Sequence, residues 1–173
     1  MQVFYAIIAI FLLALLSLTV MRSTQRLDSR IYVNEVVTQA SGVATGIIET
    51  IGRKPFDSNT DITKVSTFPA VTSTSQLTSE ANFGGCTNFS LCEDIDDYNG
   101  LVITRLLNGF EFTATITIKY VNPVDPDYYT GTQTFAKEVL VEITSPYLYV
   151  GSRSNPITVP FRRIFSYQKT TSV

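Results

Sequence analysis

The feature that most constrains this chain is an unbroken oily run at its start. From Val3 to Val20 it reads VFYAIIAIFLLALLSLTV, with no charge, glycine or proline. That is roughly the 18 or more apolar residues a helix needs to cross a bilayer. The pattern then changes without stopping. Apolar residues recur at Leu27, Ile31, Val36, Val37, Ala40, Val43, Ala44, Ile47, Ile48 and Ile51. Steps of three and four residues mark one buried face of a helix. No proline intervenes before Pro55, and Gly52 is placed to end the helix. The spacing predicts one helix of about 50 residues, roughly 75 Å long at 1.5 Å per residue. Residues 1–21 form its hydrophobic assembly or membrane segment and 22–52 its amphipathic part. The competing reading is a signal anchor followed by a separate short helix. Two observations favour one helix: no A-x-A-like cleavage site follows the apolar run, and no glycine or proline hinge separates the halves.

After the helix about 120 residues remain, enough for one modest core. Residues 53–173 are expected to form a β-rich head, with a variable, cystine-bearing region at 53–100 and antiparallel strands at 101–173. Charged residues are 16% of the chain and the net charge is −2. A nucleic-acid binder would carry a basic face, so no nucleic-acid partner is expected. Histidine is absent, which removes the commonest general base and transition-metal ligand. Nothing groups a nucleophile with a base, and no enzyme is expected.

The first basic residues after the run are Arg22, Arg26 and Arg30. For a simple anchor, basic residues on that side would hold the head in the cytoplasm. The only two cysteines, Cys86 and Cys92, bracket the loop CTNFSLC. Two cysteines without histidine make a poor zinc site. A short-loop disulfide formed outside the cytoplasm is the favoured reading, and a pair of buried thiols the alternative. The two signals agree if a basic leader has been removed ahead of Met1.

The segment 53–83 is rich in Ser, Thr, Asn and Asp and is punctuated by Pro55 and Pro69. It reads as a connection with little regular structure, tacked down by Ile62, Val65, Phe68 and Leu77. Next comes the acidic run CEDIDDYNG. Asp94, Asp96, Asp97 and Asn99 crowd oxygen-bearing side chains together, which suits a hard cation such as calcium. The alternative is an acidic turn whose side chains cap backbone amides. No other cofactor is expected. Asn88-Phe89-Ser90 is a glycosylation sequon inside the cystine loop.

The strand signals are clearest after Gly100. In FEFTATITIKY, Phe110, Phe112, Ala114, Ile116, Ile118 and Tyr120 share one face, and Glu111, Thr113, Thr115, Thr117 and Lys119 the other. Asn108-Gly109 predicts a hairpin turn after a short strand LVITRLL. TFAKEVLVEIT places Phe135, Lys137, Val139, Val141 and Ile143 on one side. Tyr147–Val150 reads as a short extended piece. ITVPFRRIFSY is the last strand, with Pro160 marking an edge or bulge. The sheet needs a cover for its apolar face, and the helical stripe at Ile31, Val36, Val37, Ala40, Val43, Ala44, Ile47, Ile48 and Ile51 is the expected partner. The fold class is α+β: a long helix, hydrophobic then amphipathic, packed on an antiparallel C-terminal sheet.

This architecture resembles the type IV pilin and pseudopilin superfamily. GIIETIGRKPFD (Gly46–Asp57) resembles the helix-end segment of pseudopilin-like proteins, and DDYNG (Asp96–Gly100) their post-helix turn. The family usually carries glutamate at the fifth mature position, whereas position 5 here is Tyr5. Between Met1 and Ser41 the helix also lacks the Gly or Pro that partly melts many bacterial pilins, which implies an uninterrupted helix there, a geometry similar to archaeal pili. The resemblance implies a structural subunit of a helical homopolymer at the cell surface. It would be inserted in the inner membrane before assembly and handled by pilus or secretion machinery. Ile7, Ile8, Phe11, Leu12, Leu15 and Leu16 would pack the filament core. A membrane-anchored minor pseudopilin, or an anchored binding or adhesion module, is the alternative.

Overall fold

A computed structural model describes residues 2–60, 71–149 and 157–167; in the helix it describes the side chains of residues 4, 5, 8, 10–22 and 33–51. Helix α1 is Gln2–Ile51. It closes where expected, with the Gly52 amide donating to the Ile48 carbonyl at 2.8 Å. Gly52 also passes close to the last strand, since a Cβ there would lie 2.5 Å from the Phe165 ring. The connection that follows is built from short 3-10 turns at Ser58–Thr60, Thr74–Gln76 and Glu80–Asn82. Another turn, Asp96–Tyr98, leads into the sheet.

Among the described residues the sheet has four antiparallel strands in the order β1 (Val102–Leu107), β2 (Phe110–Tyr120), β3 (Ala136–Thr144) and β4 (Val159–Ser166). Asn108 and Gly109 turn β1 into β2, with φ of 50° and 84°, as a two-residue hairpin turn requires. Along β2 the alternation becomes burial: Phe112, Ala114, Ile116 and Tyr120 are sealed, while Glu111 and Thr117 are exposed. The register sets Ile116 opposite Val141, and Val141 opposite Phe161, on the same face. Pro160 lies in β4, which among the described residues pairs only with β3 and so stands at the edge of the described sheet.

The core forms where α1 crosses this face. Val36, Ala40, Ala44, Ile47, Ile48 and Ile51 are buried in it, with Val37 and Val43 half-buried. Alanine at two of these contacts lets the helix approach the strands closely.

The expected fold needs correction in its helix. Among the described residues no helix is long and apolar enough to cross a membrane, so these residues supply no long apolar N-terminal helix. The described part of the sheet-covering face starts at Val36. Leu27 and Ile31, and likewise Ile62, Val65 and Phe68, lie outside the residues whose side chains are described. Of the extended piece expected at Tyr147–Val150, Tyr147 lies in a turn closed by the Leu148 amide donating to the Ser145 carbonyl, Tyr149 forms a β-bridge, and Val150 lies outside the described residues.

Candidate functional site

Two places on the chain combine unusual chemistry with unusual exposure. The first is the front of α1. Residues 11–20 are exposed without a break, around the whole circumference of the helix. Leu12 is 54% exposed, Leu15 45% and Leu16 62%. Ile8 and Phe11 are exposed as well, and the Ile7 side chain lies outside the described residues. The two hydroxyls in this stretch are turned inward. Ser17 Oγ donates to the Leu13 carbonyl at 2.9 Å and Thr19 Oγ1 to the Leu16 carbonyl at 2.8 Å. Back-bonding of this kind hides a hydroxyl in an apolar setting. The surface is therefore large and apolar, and its hydroxyls already have partners.

The second place is inside the head. Lys137 of β3 is fully buried on the inner face, in register with Tyr120 and Phe165. Its Nζ donates to Asp96 Oδ1 at 2.6 Å, to the Phe56 carbonyl at 2.7 Å and to Asp57 Oδ2 at 3.4 Å. The rings of Phe56, Phe83 and Tyr120 surround the ammonium at 4.5, 5.1 and 5.4 Å. Asp57 is anchored in turn by the amides of Asn59 and Thr78. This one lysine thus pins the helix exit, the acidic turn and the sheet together. Gly84 brings the cystine region against the same turn: its amide donates to the Asp96 carbonyl at 2.8 Å. Its φ of 90° and a backbone oxygen 2.7 Å from where a Cβ would stand leave room only for glycine.

The oxygens of the acidic run are already engaged. Asp97 Oδ2 accepts from the Glu93 amide, Asp94 Oδ1 from the Asp97 amide and Asn99 Oδ1 from the Ile118 amide. Those are the bonds of a capped turn. Among the described residues no group of three or more His, Cys, Asp or Glu is arranged to hold a metal ion. Asp94 is the most perturbed acid. Burial, with Asp96 and Asp97 beside it, raises its pKa to about 7.

That shift sets a pH dependence. An unfolded aspartate titrates near ~3.9, so between about 4 and 7 the folded chain holds a proton that the unfolded chain has released. Asp94 therefore favours the fold most at low pH, and its contribution falls as pH rises through that window. Asp94→Asn keeps the shape of the protonated acid. It is expected to raise stability at pH 8 by about 1–2 kcal/mol, after allowance for partial solvent screening, and to leave stability at pH 4 unchanged. Chemical denaturation at both pH values measures this.

Cys86 and Cys92 form a disulfide with Cα atoms 5.4 Å apart. Cys86→Ser with Cys92→Ser is expected to cost about 2 kcal/mol through the freed seven-residue loop, read as a lower denaturant midpoint with an unchanged slope. Asn88, inside that loop, is exposed, and its Oδ1 accepts from the Ser90 amide at 3.0 Å.

No local sequence pattern marks the Lys137 cluster as a unit. Its only trace in the sequence is a charged residue occupying an apolar register of β3. Comparison of the chain with protein-family models, curated proteins and solved structures returns no match.

Proposed function

We propose that the chain is a structural subunit of an extracellular helical filament of the type IV pilus kind, assembled by burying the front of α1 among copies of itself. The observation that carries this reading is the exposure of 11–20 on every side of the helix, with the hydroxyls of Ser17 and Thr19 folded back onto it. A helix that is apolar all round must be buried in something. Each large side chain taken out of water contributes roughly 1.5–3 kcal/mol. Summed over the exposed apolar residues from Phe4 to Met21, the gross term is on the order of tens of kcal/mol per subunit.

Before assembly, lipid covers the same side chains. Moving them from lipid into a bundle changes little in hydrophobic energy, so side-chain packing and the assembly machinery decide the direction. Identical head-to-tail contacts that do not close generate a fibre rather than a ring. The cystine-braced head then faces outward, at the cell surface. Electron microscopy of material sheared from cells expressing the chain tests this. Fibres of one repeating subunit are expected; a detergent-soluble monomer that never forms fibres would instead indicate an anchored protein.

A further inference from the structure

We propose that the side-chain amine of Lys137 and the carboxyl of Asp96 condense into an intramolecular isopeptide bond, tying β3 to the turn ahead of β1. The reacting groups are already in contact, Nζ to Oδ1 at 2.6 Å, and both are buried. Holding an amine against a carboxyl in this way replaces an encounter in solution by an intramolecular step. The surroundings favour it further. The rings of Phe56, Phe83 and Tyr120 enclose the nitrogen. In so apolar an enclosure a charged pair loses much of its advantage over the neutral amine and acid, which differ from it by one proton transfer along the existing hydrogen bond.

Two further carboxyl groups stand where the proton transfers need them. Asp57 Oδ2 is 3.4 Å from Nζ and is held there by the Thr78 amide. Asp94, two residues from Asp96 on the same turn, keeps its proton up to about 7 through burial and the neighbouring charges of Asp96 and Asp97.

The step balances without any co-reactant. Once the proton of the ammonium has passed to Asp96, the Nζ lone pair attacks the Asp96 carboxyl carbon. Asp57 accepts a proton from the nitrogen as the C–N bond forms. Asp94 gives its proton to the departing hydroxyl as the C–O bond breaks. One water leaves, nothing is oxidised or reduced, and the net change between the helpers is a proton moved from Asp94 to Asp57. The resulting amide links positions 41 residues apart in the chain. It would convert the central contact of the head into a covalent one, independent of the Cys86–Cys92 bridge.

Mass spectrometry of the full chain tests this, with the protein purified folded in detergent, held at neutral pH and then reduced and denatured. The expected mass lies about 18 Da, one water, below that of the reduced sequence. Trypsin should fail to cut after Lys137, and one branched peptide should contain both Lys137 and Asp96. Lys137→Arg should restore the full mass and remove the branched peptide. Asp96→Asn should still form the link but lose ammonia, so its deficit becomes about 17 Da. Asp94→Ala should slow the loss at least tenfold while leaving the disulfide and the circular dichroism of the head in place. The full sequence mass in the folded wild-type chain overturns the proposal. So does a water loss that maps to a single unbranched peptide, which would be cyclisation at an aspartate.

Discussion

Replacing Lys137 with methionine is expected to lower the stability of the head by about 3–5 kcal/mol, because it strands two carboxylates in the interior. Asp57 and Asp96 are both shut away from water, and Lys137 is the cation between them. Methionine fills much of the same space and keeps the contact with Phe56, Phe83 and Tyr120, so little of the loss comes from packing. For a head of this size the melting temperature should fall by roughly 15 °C. The asymmetry between breaking a pair and removing it gives a second check. Adding Asp96→Leu to Lys137→Met takes away one of the stranded charges and should recover part of the loss. Thermal melts of the three proteins measure both effects. A loss under about 1 kcal/mol for the single variant would mean that water reaches the cluster. The direction is the same whether Lys137 is held by charge alone or by an amide, and the mass of the wild-type chain separates those cases.

The second large effect concerns assembly. Leu12→Arg is expected to abolish fibres. Leu12 lies in the middle of the exposed apolar stretch and is 54% exposed on the lone subunit. In a filament it meets neighbours, and every subunit carries the same charge into the same interior. A buried arginine costs about 2.5–3.5 kcal/mol even on the gentler insertion scale, and at 1.4 kcal/mol per factor of ten the concentration needed for assembly rises roughly a hundredfold. Leu91→Arg is the matched control, since Leu91 is 69% exposed on the cystine loop. Sedimentation of detergent-free material should leave the Leu12→Arg protein in the supernatant and pellet the Leu91→Arg protein. Equal pelleting of both would remove the helix from the assembly contact.

Much of the sheet is legible in the sequence alone. The strict alternation from Phe110 to Tyr120 has no helical interpretation, and Asn108-Gly109 admits few turns but a tight hairpin. Pro160 could only be tolerated where one side of a strand lacks a partner. What failed depends on distance in space. The stripe from Leu27 onward shows which face of a helix is apolar, but not which strands cover it. The described contact begins at Val36. The front half reads as one long oily helix, yet the described residues contain no such span. The Lys137 cluster joins residues 80 and 41 positions apart. No local pattern brings Asp57, Asp96 and Lys137 together, and nothing in the acidic run itself shows that its oxygens bond backbone amides and a lysine. Lys137 itself stood in plain view, in register with Val139 and Val141, where a charge has no place unless something buried answers it.

The most direct measurement is the chemical accessibility of the helix front in assembled material. The chain's two cysteines are bonded to each other, so Leu16→Cys introduces a single thiol in the apolar stretch and Leu91→Cys a single thiol on the head. Both are exposed on the isolated subunit. In fibres free of lipid and detergent, a water-soluble maleimide should label Leu91→Cys fully and leave Leu16→Cys at least tenfold slower to react. Equal labelling of the two would show the oily front of the helix facing water, with the heads alone holding the copies together.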